Sequence, residues 1–235
     1  MTNFFSWQRF FSNIPKLFST LPITFEVVFV TYIIGCFFAI FLAYIRIKNV
    51  PIVKQVIAVF VSFERDTPLL VQMLVSYYGI PLIIEAFFDV DTREWPRITF
   101  VFIAFSANVA AFLSEVFRSS ILSIPKGQTE AAYSCGMTAG KAFTKIVLPQ
   151  AFRIALPNMW TFLISLLKST SLIYMIGVVD IIGRAQAIGS ATSHSLESYI
   201  IIALVFTVFS LLLQLPYCFV EKKLSFKNSI KEAGK

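Results

Sequence analysis

Long apolar runs dominate this chain and leave few folds open to it. Residues 23–45, 98–117 and 198–220 are each close to continuous hydrocarbon, and residues 53–63 with 69–78, and residues after Pro157, are nearly so. Crossing about 30 Å of hydrocarbon takes roughly 20 apolar residues in a helix. Lipid offers backbone amides no partner, so each crossing closes its own hydrogen bonds as a helix. The chain of 235 residues is 57% hydrophobic and carries 26 Phe, more than a soluble domain hides on one face of its helices. The sequence predicts an all-α, polytopic membrane protein of about five crossings. These use most of the length and leave no room for a separate soluble catalytic domain.

The second crossing is broken. Residues 53–63 and 69–78 flank Glu64-Arg65-Asp66-Thr67-Pro68, and Pro68 lacks a donor and clashes with the preceding turn. Residues 81–97 then read as a mixed-charge outer segment. Residues 180–197 form another, holding His194, the single histidine. Before the first crossing, Phe4, Trp7, Phe11 and Ile14 recur at helical spacing, predicting a short interfacial helix within residues 1–20 that stops near Pro15. It is too polar and interrupted for the apolar core of a signal peptide.

Basic residues set the orientation. Arg46, Lys48, Lys54, Arg118, Lys126, Lys141, Lys145, Arg153 and the tail lysines 222, 223, 227, 231 and 235 fall on one side. Only Arg9, Lys16, Arg93, Arg97 and Arg184 fall on the other. The positive-inside rule puts the first set in the cytoplasm, with the N-terminus outside and the C-terminus inside. This accounts for the net charge of +7 without a nucleic-acid partner. The permease domain is expected over residues 21–222 and a cytoplasmic basic tail over 223–235.

Between crossings three and four lies a polar insert, residues 118–153. It reads as a turn, a helix over 128–137 with Glu130 in its opening turn, Gly136 near its end, and a second short helix over 140–147 stopped by Pro149. Its physical reading alone leaves open an amphipathic loop resting on the bilayer. The pattern Glu130-Ala131-Ala132, three residues, Gly136, nine residues, Ile146-Val147-Leu148-Pro149 resembles the E-A-A loop of the membrane subunits of ATP-binding-cassette importers. Arg65-Asp66-Thr67-Pro68-Leu69-Leu70-Val71-Gln72 is similar to the R-G-T-P-L-L-V-Q run of their polar amino-acid branch, with Asp66 in place of Gly. Glu115-Val116-Phe117-Arg118-Ser119-Ser120-Ile121, Gly127-Gln128 and Lys168-Ser169-Thr170-Ser171-Leu172 match further segments, all within residues 59–180.

The resemblance implies a type I importer permease fold in the bacterial cytoplasmic membrane. It implies ATPase-coupling roles for Glu130, Ala131, Ala132, Gly136, Leu148 and Pro149. It also implies a second permease subunit, two cytoplasmic ATPase subunits holding ATP and Mg, and an extracytoplasmic solute-binding protein. The substrate class is a polar amino acid: glutamine, glutamate, a basic amino acid, histidine or cystine. No cofactor is expected in this chain, and no enzyme activity of its own. Gly136-Met137-Thr138-Ala139-Gly140-Lys141 has one residue too few between its glycines for a phosphate loop, and Ala142 stands where Ser or Thr belongs. One histidine and three scattered cysteines build no metal site.

A charge at mid-bilayer costs about 2.5–3.5 kcal/mol, so the intramembrane charges face protein or water. Two readings stand. Either Arg65 and Lys168 are neutralised by Asp66 and Glu115, or these residues line an amino-acid passage with Thr67, Gln72, Thr170 and Ser171. The competing functional class is an intramembrane or lipid-modifying enzyme using Glu115 and Asp66 as acid and base.

Overall fold

The computed structural model describes residues 5–92 and 94–232, with side chains described through residue 217. Phe4, Arg93 and Lys235 lie outside the described residues, as do the side chains of Lys222, Lys223, Lys227 and Lys231. Regular structure among the described residues is entirely helical. The elements are α1 (Trp7–Phe18), α2 (Leu21–Ile47), α3 (Val53–Asp66), α4 (Leu69–Phe88), α5 (Arg97–Leu122), α6 (Lys126–Ser134), α7 (Ala139–Ala142), α8 (Leu148–Ser169), α9 (Ile181–Thr192) and α10 (Leu196–Glu232). A π-helical turn, Phe143–Val147, joins α7 to α8, and a 3₁₀ stretch, Thr170–Ile176, extends α8. Five helical runs are long and apolar enough to cross a membrane: Leu21–Ile47, Leu69–Phe88, Arg97–Leu122, Ala139–Ile176 and Leu196–Tyr217.

The chain forms two compact units. The first comprises residues up to 33, 67–107 and 164–213. Here Leu17 of α1 is fully buried with Leu21, Ile181 and Ala185 of α9, and Ile201, Ile202 and Val205 of α10, flanked by Phe10 and Ile14. Trp7, Phe11 and Phe18 stay exposed. One face of α1 is therefore committed to protein rather than to the bilayer surface. Polar contacts fasten the same face. The backbone amide of Ser6 and the Arg9 Nε both donate to Glu197 Oε1, at 2.9 and 2.8 Å, and Asn13 Nδ2 donates to Ser198 Oγ at 3.2 Å. Glu197 is completely buried in the first turn of α10, where the helix dipole favours a carboxylate.

α1 does not stop at Pro15 as expected. It continues to Phe18, and the Pro15 carbonyl accepts from the Ser19 amide at 3.1 Å. A mid-helix proline costs about 3 kcal/mol, and burying Leu17 beyond it returns roughly 1.5–3 kcal/mol. The polar fastening of α1 supplies the rest.

The expected break falls at Pro68, which takes an extended ψ of 135° and starts α4. The carbonyls it frees are used locally. Gln72, buried, donates through Nε2 to the Thr67 carbonyl at 2.9 Å, and the Val71 and Gln72 amides donate to the Pro68 carbonyl. α4 then runs ten residues past the expected stop at 78, through Pro81 to Phe88, where Asp89 turns left-handed at φ 54°. The outer segment thus starts at residue 89, and α4 alone is long enough to span. Residues 81–88 are apolar apart from Glu85, so continuing the helix keeps their backbone satisfied where a loop would not.

The second outer segment contains a helix that periodicity did not announce. Asp180 caps α9, accepting from the Gly183 amide at 2.9 Å. Burial pushes its carboxyl above the usual range, against the pull of backbone amides at Gly183 and Ile182. At the end of the 3₁₀ stretch, Arg97 donates through a guanidinium nitrogen to the Ile176 carbonyl at 3.3 Å. Gly177 follows at φ 82°, and a Cβ there would stand 2.0 Å from that same nitrogen.

The second unit comprises residues 34–66, 108–163 and the chain beyond 213. Ile57 and Val61 of α3 pack on Ala111 of α5, flanked by Leu42, Ile45 and Phe60. Asn108 donates to the Glu64 carbonyl at 3.3 Å.

Replacing Glu197 by Ala removes the acceptor that the Arg9 guanidinium and the Ser6 amide share. Glu197 is buried while Arg9 is partly exposed, so the loss is that of charge-assisted hydrogen bonds, about 1.5–3 kcal/mol. Hydrogen exchange in the α1 amides of the purified chain is expected to speed up markedly in this variant, while the amides of α5 keep their protection. Unchanged α1 protection contradicts the fastening.

Candidate transport site: the polar elbow and the intramembrane charges

α5 continues past the expected end at 117 to Leu122. The chain turns through Ser123-Ile124-Pro125 and enters α6 at Lys126, two residues earlier than expected. Glu130 therefore lies in the second turn rather than the first, and the dipole argument for its position lapses. α6 ends as a Schellman motif. The Met137 amide donates to the Ala132 carbonyl at 3.0 Å and the Gly136 amide to the Tyr133 carbonyl at 2.9 Å, with Gly136 at φ 76°. Thr138 caps α7, accepting from the Lys141 amide.

The second arm differs from expectation. Pro149 does not stop a short helix; it is the second residue of α8, and helix runs unbroken from Ala139 to Ile176. The π-helical turn explains how. The Leu148 amide reaches back five residues to Phe143, and this wider turn ends just before Pro149, whose ring would clash with a normally placed carbonyl four residues back.

The elbow is held from inside by Ile124, Val147 and Ala151, flanked by Ile121. α6 packs on α7 and on the π-helical turn. Gln150 on α8 donates to Gln128 on α6. Among the coupling candidates, Ala132 is buried in this packing, whereas Glu130, Ala131, Gly136, Leu148 and Pro149 are exposed. Alongside them Tyr133, Met137, Phe143 and Phe152 are also exposed. The outer surface of the elbow thus mixes one carboxylate with several uncovered apolar side chains.

The charged residues sort differently from the pairing that the sequence suggested. Glu115 is held by Arg46 Nη1 at 2.6 Å and, one turn along α5, by Arg118. It is not the counter-ion of Arg65 or Lys168. Arg46 entered the sequence reading only as a topology marker; its position just after an apolar run was the available signal. Arg65 and Asp66 are exposed at the end of α3, with the Arg65 guanidinium 5.7 Å from the Phe112 ring centroid. In the other unit Thr67 and Gln72 share a hydrogen bond, Thr170 is fully buried with its hydroxyl donating to the Leu167 carbonyl, and Ser171 donates to the Lys168 carbonyl at 2.8 Å. Lys168 is exposed. It borders an open hollow of about 450 Å³ together with Ser171 and, from α10, Thr207 and Ser210. These two hydroxyls lie inside an apolar run and were missed; their spacing of three residues was the only trace.

A family profile described as binding-protein-dependent transport system inner membrane component matches residues 35–226. The chain belongs to this family. Among curated relatives, it is 38% identical to the L-cystine transport system permease protein TcyL of Bacillus subtilis over 90% of this chain and 88% of that one. It is 35% identical to the arginine transport system permease protein ArtQ of the same organism, over 90% and 94%. A solved amino acid ABC transporter crystallised with histidines contains a chain that superposes at a TM-score of 0.83 and 30% identity, covering 95% of this chain and all of that one.

The protein is thus a multi-pass permease component of a bacterial inner-membrane importer, and energy-yielding nucleotide hydrolysis lies with partner subunits. The enzyme alternative built on Glu115 and Asp66 is set aside by this membership. The arginine clasp agrees, since guanidinium donors already occupy both oxygens of Glu115.

In this permease Gly136 carries the left-handed turn of the elbow, while Gly140 is helical with open space beside its Cα. Gly136→Val is expected to cost about 1–2 kcal/mol by forcing a β-branched residue to positive φ. Gly140→Ala is expected to be neutral or slightly stabilising. Thermal unfolding of the purified permease with each substitution checks the pair; equal effects contradict the assignment of Gly136.

Proposed function

We propose that this permease forms the translocation pathway of an ATP-driven importer of polar amino acids and is coupled to its motor through the elbow at residues 118–153. The single observation behind the coupling is the elbow's surface: Glu130, Ala131, Leu148 and Pro149 are exposed, and so are Tyr133, Met137 and Phe143 in the same segment. A polar insert with its own packed interior and an apolar exterior suits a docking partner, and an ATPase subunit is the one that family membership supplies. Gly136 shapes the turn, and Ala132 fills the inside where a larger residue would push α6 away from the π-helical turn. The N-terminus is outside, the elbow and C-terminus inside, as the basic residues argue.

Two permease subunits line the path, identical or different, with two ATPase subunits carrying ATP and Mg below and a solute-binding protein above. Loaded binding protein docks outside, closure of the ATPase pair moves the elbow, and the helices attached to it turn the pathway outward. α6 is linked to α5 by only Ser123-Ile124-Pro125, and on its other side α7 runs through the π-helical turn into α8. A push on the elbow therefore reaches two spans directly.

The relatives' names support an amino-acid substrate, with cystine and arginine permeases both represented. Candidate pathway residues are Arg65, Asp66, Thr67, Gln72, Lys168, Thr170 and Ser171, with Glu115 contributing through its arginine clasp. They join both charge signs and neutral hydroxyls, as a zwitterion requires.

Glu130→Lys tests the coupling. The reconstituted complex of permease, ATPase and binding protein is expected to lose about tenfold or more of its uptake while basal ATP hydrolysis and membrane insertion persist, because the docking contact and not the fold has been reversed in charge. Unchanged substrate-stimulated hydrolysis and uptake would show that the elbow is not the handle.

A further inference from the structure

α10 is longer than the membrane requires. Its apolar span, Leu196–Tyr217, has 22 residues and covers about 33 Å, enough for a hydrocarbon layer about 30 Å thick. The helix nevertheless continues to Glu232. Residues 218–232 add roughly 22 Å of helix beyond the span. The family profile ends at residue 226, inside this extension.

The extension carries a charge pattern that its own helix does not balance. Lys223, Lys227 and Lys231 recur every fourth residue, and Lys222 adjoins the first. That spacing stacks like charges one turn apart, which weakens a helix. The acids of the extension are Glu221 and Glu232, and neither stands three or four residues from these lysines. The counter-charge therefore has to come from outside the helix. Phe219, Phe226 and Ile230 fall within about 40° of one another around the axis, with Lys222 on one side of that stripe and Lys223, Lys227 and Lys231 on the other. An apolar stripe bordered by lysines is the composition of a helix that lies in a headgroup layer.

A second segment of the same compact unit repeats this chemistry. In the turn between α2 and α3, Ile52 is 74% exposed and held at φ 65°, a left-handed conformation that β-branched residues avoid. Val50 and Val53 are exposed beside it. Lys48 and Lys54 bracket them, and no acid occurs between Arg46 and Glu64.

We infer that the α10 extension docks on an anionic phospholipid surface, its lysines meeting headgroup phosphates and its Phe219–Phe226–Ile230 stripe entering the layer, with the Lys48–Lys54 turn as a second contact. The surface belongs to the cytoplasmic leaflet, by the same count of basic residues that orients the chain, and its anionic lipids attract lysines close to a span. Lys222 lies five residues past Tyr217, about 7.5 Å on, where the headgroup layer ends. Pro216 lacks an amide donor at the edge of the span and gives the helix a place to bend onto that surface. The lipid thereby tethers the unit that also holds the elbow.

The test uses the full-length permease in nanodiscs, with Cys36, Cys135 and Cys218 replaced by Ser. A fluorophore is attached at Ile230→Cys, on the stripe, or at Asn228→Cys, on the opposite face. Discs contain phosphatidylcholine alone or with about 30% phosphatidylglycerol. Brominated acyl chains are expected to quench the probe at 230 about threefold more strongly in the anionic discs, while the probe at 228 stays open to aqueous iodide in both. Raising KCl from about 0.05 to 0.5 M is expected to remove most of that gain. Replacing Lys222, Lys223, Lys227 and Lys231 by Gln is expected to abolish it. Exchanging Lys227→Asn with Asn228→Lys keeps the net charge, moves one lysine off the ridge and is expected to reduce the gain by about half. Equal quenching at 230 in the two kinds of disc overturns the inference, as does a full gain in the fourfold Gln variant. Protection of the probe at 230 only after the ATPase subunit is added, whatever the lipid, also overturns it and gives this face to a protein. None of these signals depends on uptake, so their failure leaves the translocation reading standing.

Discussion

Hydrocarbon supplies no hydrogen bonds, so every backbone group within the spans has to be satisfied by the chain itself. That constraint organises this permease. It makes all its described regular structure helical, and it obliges each departure from α-helix to carry its own compensation. At Pro68 the freed Thr67 carbonyl is taken by Gln72. At the 3₁₀ stretch, Arg97 reaches the Ile176 carbonyl just before the left-handed Gly177. At the elbow the Leu148 amide reaches five residues back, and the turn is wide enough to admit Pro149. These departures fall on or beside the segments that the family resemblance singled out, where backbone irregularity gives the spans somewhere to bend or bind.

The same scarcity of partners governs charge. Glu115 is held by Arg46 and Arg118, and one oxygen of Glu197 accepts from Arg9 and the Ser6 amide. These clasps each join elements far apart in sequence. One ties the end of α2 to the end of α5, the span that leads into the elbow. The other locks an otherwise amphipathic helix onto α10. Lys168 stands outside both, bordering a hollow rich in hydroxyls. Charges that are clasped serve the fold, and exposed ones such as Lys168, Arg65 and Asp66 are the better candidates for meeting cargo.

Much of this was legible in the sequence. Five crossings, the break at Pro68, and the glycine turn at 136 follow from run length, from one missing donor and from one left-handed position. Proline was the recurring source of error. Pro15, Pro81 and Pro149 were each read as boundaries, yet each lies within a helix. A proline costs one hydrogen bond, and in apolar surroundings abandoning the helix costs several. Pro68 differs because polar residues at 64–67 precede it and a buried Gln follows to repair it. Ion pairing between remote residues was equally illegible: nothing in spacing joins Arg46 to Glu115 or Arg9 to Glu197. That Thr207 and Ser210 border the same hollow as Lys168 depends on α10 lying beside α8, which only the fold reveals.

The central claim is that the uncovered face of the elbow is where the motor holds this permease. A photo-crosslinking side chain installed at Ala131, which faces outward, and separately at Ala132, which faces the elbow's interior, tests it in native membranes containing the whole complex. The account predicts a covalent adduct to the ATPase subunit from position 131, and none, or only trace amounts, from position 132. Equal yields from both, or adducts from position 131 to the binding protein on the opposite side of the membrane, would contradict it.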